Sequence, residues 1–140
     1  LDSLNKRVKF LNEVIAKLGL KGITAIHGRA EDYAKQGEYR EQFDFVVSRA
    51  VANLASLSEY CLPYVKAGGF FVPYKSGSID EELAEAEKAV SVLGGKIKQV
   101  QRFTLPESDI ERTLVVVEKV KATPKKYPRK AGLPAKEPIH

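Results

Sequence analysis

Apolar residues recur at three- and four-residue spacing near the start of the chain: Leu4, Val8, Leu11, Val14, Ile15 and Leu18, with Lys6, Arg7, Lys9, Glu13 and Lys17 between them. That period predicts an amphipathic helix. Asp2 or Ser3 is placed to cap its free amides, and Gly19 to end it. Residues 23–27 predict a short strand between Gly22 and Gly28, followed by a helical turn over 29–33 and a polar connection over 35–42. The run Phe-Asp-Phe-Val-Val at 43–47 is too short for a self-burying helix. Its β-branched and aromatic content predicts a strand covered on both faces, as parallel strands in α/β proteins are.

Leu54, Leu57, Cys61 and Val65 form the inner stripe of another helix, with Pro63 and Gly68-Gly69 near its end. A strand follows over 70–75. Ser78 and Glu81 make a capping box ahead of a helix whose buried stripe is Ile79, Leu83, Ala86, Val90 and Leu93, stopped by Gly94-Gly95. Two last strands, 96–103 and 113–120, flank a loop containing Pro106. The order is αβ units closed by a pair that must be antiparallel or nearly so. This is an α/β domain over residues 1–120, followed by a tail over 121–140. Four of the seven prolines lie in that tail, which is expected to be extended.

Composition narrows the classes. With one cysteine, Cys61, and two histidines, the chain has no disulfide framework, and zinc or Cys/His chemistry lacks ligands. No apolar run is long enough to cross a bilayer and no signal peptide is visible, so a cytoplasmic setting is expected. The net charge of +5 belongs to the tail: Lys121, Lys125, Lys126, Arg129, Lys130 and Lys136 stand there against Glu137 alone. A basic tail on a neutral body suits a polyanionic partner, because each neutralised phosphate releases counterions; a solvated end is the alternative.

Ligands of open α/β sheets bind at the carboxyl ends of strands. Three positions fall there: Asp2, Ala30-Glu31 after residues 23–27, and Arg49 after residues 43–48. An acidic residue such as Asp2 suits ribose hydroxyls, or caps a helix. Glu31 reads equally as a surface carboxylate and Arg49 as an ion-pair partner. Gly68-Gly69 and Gly94-Gly95 are helix stops rather than phosphate cradles. Cys61 and His27 read as structural.

Four stretches occur in an order and spacing that resemble a known family: Leu1-Asp2-Ser3-Leu4-Asn5-Lys6-Arg7, Gly28-Arg29-Ala30-Glu31, Phe43-Asp44-Phe45-Val46-Val47-Ser48-Arg49-Ala50-Val51, and Thr123-Pro124-Lys125-Lys126-Tyr127-Pro128-Arg129-Lys130. The chain resembles the later two-thirds of the bacterial 16S ribosomal RNA guanine-N7 methyltransferase G family, also called glucose-inhibited division protein B. The resemblance implies a Rossmann-like class I methyltransferase sheet, mostly parallel with a C-terminal antiparallel hairpin, here lacking its first strands and glycine-rich loop. It implies S-adenosyl-L-methionine as cofactor, with Asp2, Ser3 and Leu4 beside the ribose, Ala30 and Glu31 bordering the adenine, and Arg49 near the methyl group. It implies 16S ribosomal RNA or the small ribosomal subunit as partner, met by Lys75, Lys125, Lys126, Tyr127, Arg129 and Lys130, with Tyr127 stacking on an unpaired base.

Guanine N7 has an in-plane lone pair and no proton to lose, so the transfer needs alignment rather than a strong base. The expected reaction is guanine N7 methylation, with the 140-residue chain itself inactive and its open edges disposed to dimerise or exchange elements with a second copy. Two other readings stay open: a non-catalytic ribosome- or RNA-binding domain, and part of a nicotinamide-dependent oxidoreductase.

Overall fold

The computed structural model describes residues 1–35, 37–49 and 52–140. Ala50-Val51, the end of the central motif, and Gln36 in the polar connection lie outside them. In chain order the elements are helix α1 (Asn5–Lys17), the short helix α2 (Ala30–Tyr33), strand β1 (Phe43–Arg49), helix α3 (Leu54–Cys61) with a 3-10 turn (Leu62–Tyr64), strand β2 (Val65–Ser76), helix α4 (Asp80–Val92), strands β3 (Gly95–Thr104) and β4 (Glu111–Lys119), and the short helix α5 (Leu133–Lys136). The sheet runs β1-β2-β4-β3. β1 and β2 are parallel, and β4 lies antiparallel between β2 and β3.

The closing hairpin, α1, α2 and α4 form where periodicity places them, but several local details differ. Residues 23–27 do not form a strand; a single parallel bridge ties Asp2 to His27. A strand needs a partner along its whole length to satisfy its backbone groups, and here only Asp2 supplies one. Leu4, not Asp2 or Ser3, stands at the cap position of α1, and Asp2 instead accepts the Leu4 N–H at 2.8 Å. The capping box is also absent: Ile79 precedes α4, and the Ser78 hydroxyl donates to Asp80.

Val65 and Gly68-Gly69 lie within β2 rather than at a helix end. A β-carbon on Gly69 would stand 2.6 Å from the Asp44 carbonyl, so glycine is what lets β1 and β2 close there. Gly94 does end its helix, at φ +92°, and its carbonyl then accepts from both Val120 and Lys121.

α3 and α4 cover one face of the sheet. Leu54, Leu57, Leu62, Val65, Phe71, Val90, Leu93, Val115 and Val117 are buried between the layers. The opposite face carries Phe45 and Val47, paired in register with Phe70 and Val72. Phe45 is 67% exposed and Val47 63%, so β1 is covered on one face and not on two. Its other edge has no strand partner among the described residues. α1 is similarly bare, with Leu4, Phe10, Leu11 and Leu18 exposed and Val8 its one buried residue.

The two sides of the sheet are expected to respond very differently to truncation. Phe71→Ala empties a fully buried site and should cost about 3–5 kcal/mol. Phe45→Ala removes a side chain already in water and should change stability by roughly 0.5 kcal/mol or less. Urea unfolding midpoints of the two variants measure this; equal losses would mean that the Phe45 face is covered in solution.

Candidate functional site

The isolated bridge builds one corner of the molecule. The Asp2 N–H donates to the Ile26 carbonyl and the Gly28 N–H to the Asp2 carbonyl, both at 3.0 Å. His27 Nε2 lies 3.1 Å from the Ser3 carbonyl oxygen. The stretch 1–4 therefore stands directly beside the stretch 27–31. Gly28 has no room for a side chain because the Tyr33 ring lies over it, and the Tyr33 hydroxyl donates to the His27 carbonyl. The Tyr64 hydroxyl donates to the Ala30 carbonyl at 2.6 Å, fixing the start of α2 against the end of the 3-10 turn.

Between these stretches lies a cleft of about 550 Å³. Asp2, Ser3 and Leu4 form one wall, Ala30 and Glu31 another, and Tyr60 and Gly132 complete it. The Leu4 N–H, helped by Arg7, holds the Asp2 carboxyl below its ordinary value. Oδ1 takes the Leu4 bond and Oδ2 lies 3.5 Å from Arg7. A second, more apolar cleft of about 670 Å³ shares Leu1, Ala30 and Tyr60 with the first and runs along Phe43, Phe45, Val47 and Ser48 of β1.

Five of the six expected cofactor residues, Asp2, Ser3, Leu4, Ala30 and Glu31, thus line one cleft. Arg49 does not; it is exposed at the carboxyl end of β1, one residue past Ser48. Glu31 is only 6% exposed, and its Oε1 accepts the Gly132 N–H at 3.0 Å. Its carboxylate is held by the tail and is not a surface group. Cys61 is a packing residue whose thiol burial pushes up to about 12.

The tail is folded onto the domain rather than extended. Arg129 donates from Nε and a terminal nitrogen to both carboxylate oxygens of buried Glu59, with the shortest contact 2.7 Å. Tyr127 is 9% exposed. Arg40 donates to the carbonyls of Thr123 and Tyr127, and Thr123 donates its N–H to Glu41 and its hydroxyl to Leu93. Arg129 and Tyr127 therefore fasten the tail instead of facing outward. Lys75 is turned inward, donating to the Ala52 carbonyl and paired with Glu82. Lys125, Lys126 and Lys130 remain exposed.

Two cleft residues, Tyr60 and Gly132, lie outside every stretch that sequence reasoning singled out. Tyr60 is one helical step beyond Leu57 on the inner stripe of α3, a spacing that could have marked it. Gly132 carried no signal, because nothing local says that the tail returns.

The architecture, helices layered on a mixed sheet closed by an antiparallel hairpin, has the fold of the Rossmann-like class I methyltransferases. NSun6 from Pyrococcus horikoshii, solved with SFG, superimposes with a TM-score of 0.63 at 16% identity, over 85% of this chain and 40% of that one. TYW2 of M. jannaschii, in complex with AdoMet, gives 0.55 at 13% identity over 81% and 53%.

Residues 1–115 match the family GidB, rRNA small subunit methyltransferase G, and the chain belongs to it. The ribosomal RNA small subunit methyltransferase G of Lachnoclostridium phytofermentans is 60% identical over 139 residues, which are 99% of this chain and 57% of that protein. The protein of the same name from Clostridium tetani is 55% identical, over 99% and 58%. The chain therefore spans less than three fifths of these relatives.

The clamp that seats the tail has a pH signature. Glu41 accepts from Thr123 at 2.8 Å and pairs with Lys119 at 3.1 Å. Burial raises its carboxyl, but the Thr123 N–H and the Lys119 amine outweigh that, leaving it below its ordinary 4.5. A lowered carboxyl stabilises the fold fully above its unfolded value and loses that contribution as pH falls through the folded one. Glu41→Gln should be less stable than wild type at pH 7, with the gap closing below pH 4.5. Thermal unfolding across pH 3–7, where a gap independent of pH would contradict the assignment, measures it.

Proposed function

We propose that this chain carries the nucleoside-binding and RNA-facing part of an S-adenosyl-L-methionine-dependent methyltransferase acting on guanine N7 of 16S ribosomal RNA. The observation that supports this most directly is the convergence of Asp2, Ser3, Leu4, Ala30 and Glu31 around one cleft. The Asp2 backbone is pinned on both sides and its Oδ1 takes the Leu4 N–H, so its carboxylate is held on the cleft wall, which suits hydrogen bonds from ribose hydroxyls. Leu1, Leu4, Ala30 and the Tyr60 ring supply apolar walls for a flat base. The residues present fit an adenosyl group.

When bound, that cofactor supplies an electrophilic methyl group on a sulfonium. The work left to the protein is to orient, since N7 of guanine attacks with a lone pair and releases no proton. Lys125, Lys126 and Lys130 form the exposed cationic strip that would hold phosphates, contributing affinity and not base choice. Arg49 does not line the cleft that Asp2 and Glu31 line, and the 140-residue chain is expected to bind cofactor without turnover. The same open surfaces along β1 and α1 favour pairing with a second copy.

Calorimetric titration with S-adenosylmethionine and with NAD separates the readings. Binding of the first alone fits the proposal, binding of NAD favours an oxidoreductase, and binding of neither favours an RNA-binding domain. On the RNA side, replacing Lys125, Lys126 and Lys130 together by alanine should reduce the slope of log affinity against log salt by about 2–3, at about 0.7–0.9 per phosphate contact. An unchanged slope for small-subunit RNA would remove the strip from the interface.

A further inference from the structure

We infer that the returning C-terminal segment is a built wall of the Asp2–Ala30 cleft, with Arg129 as a positioning residue, so that tail docking and adenosyl binding reinforce one another. This rests on the nucleoside reading of the cleft. Gly132 lines that cleft although it lies 101 residues from Glu31, whose buried carboxylate takes its N–H at 3.0 Å. Gly132 holds φ at +85°, a conformation that glycine adopts without strain and that turns its amide inward.

The loop presenting it is closed by one guanidinium. Arg129 binds Glu59 through two nitrogens and donates to the Glu137 carbonyl at 2.7 Å, tying the two ends of the segment 129–137 together. The Ser56 hydroxyl, also on α3, donates to the Pro134 carbonyl at 2.7 Å. Glu59 and Tyr60 are adjacent on α3: the first grips the tail and the second faces the cleft. Displacing the tail therefore disturbs Gly132 directly and Tyr60 through its own helix.

With its Oε1 engaged by Gly132, the Glu31 carboxylate fastens the tail to the cleft wall. A ligand that binds the docked state more tightly stabilises docking by the same factor.

The test uses the purified 140-residue chain. Hydrogen exchange is followed with and without S-adenosylmethionine, alongside calorimetric affinities for S-adenosylmethionine and for adenosine. Ligand is expected to slow exchange across 129–137 more than in the β3–β4 hairpin. Arg129→Ala and Gly132→Ala are each expected to weaken both ligands about ten-fold, with Arg129→Lys intermediate because lysine cannot reproduce the two-nitrogen grip. Gly132→Ala leaves the ion pair intact, so it answers even if Arg129→Ala unfolds, which circular dichroism reveals. Unchanged exchange over 129–137 in ligand-bound wild type, or wild-type affinity in folded variants, overturns this inference alone. Failure of wild type to bind S-adenosylmethionine overturns the nucleoside reading and this inference with it.

Discussion

The Lys119 amine is the point on which the arrangement of this chain turns. It sits at the end of β4 with no exposed surface, and donates to the Leu62 carbonyl at 2.7 Å, the Val65 carbonyl at 2.8 Å and the Glu41 carboxylate at 3.1 Å. Burial lowers its pKa and Glu41 offsets that in part. An ammonium group in such a place is tolerated because all three of its protons have acceptors. It ties the last strand to the turn that ends α3 and to the segment that leads into β1. Glu41, the shared partner, holds a left-handed φ of 52°, which persists only where neighbours fix it from several directions. The same carboxylate receives the Thr123 amide of the returning tail. One buried charge thus positions the sheet, the helix beneath it and the C-terminal segment relative to one another.

The core was readable because burial imposes a period. The stripes through α3 and α4, and the β-branched runs of β1, β2 and β4, follow from the geometry of helices and strands. What failed was information that neighbours supply. Residues 23–27 have strand-like content, yet a strand is a paired object and only Asp2 bonds to it. Phe45 and Val47 look like core residues, and their exposure reflects what stands opposite them rather than what they are. Ser78 has the chemistry of a cap, but the helix begins one residue later than that role requires, and its hydroxyl turns to Asp80.

The site divides in the same way. Asp2 through Leu4 and Ala30-Glu31, expected to stand together, do line one cleft, although residues 23–27 ahead of Ala30 form no strand. The tail was misread because its charge is conspicuous and its fastening is not. Arg129 and Tyr127 resemble a nucleic-acid strip when seen beside Lys125, Lys126 and Lys130, but their partners, Glu59 and Arg40, lie far back in the chain. Long-range polar pairing leaves no periodic trace, so a basic stretch divides into anchors and exposed cations only in three dimensions.

Gly94 bears on all of this from a distance. Its missing side chain leaves the space through which the chain passes on leaving the sheet: a β-carbon there would lie 2.3 Å from the Lys121 carbonyl oxygen. The heading on which the final twenty residues set out is consequently chosen by a hydrogen atom at the foot of a helix. A methyl group at that spot would act as a wedge, steering the whole C-terminal course away from its moorings without touching any of them.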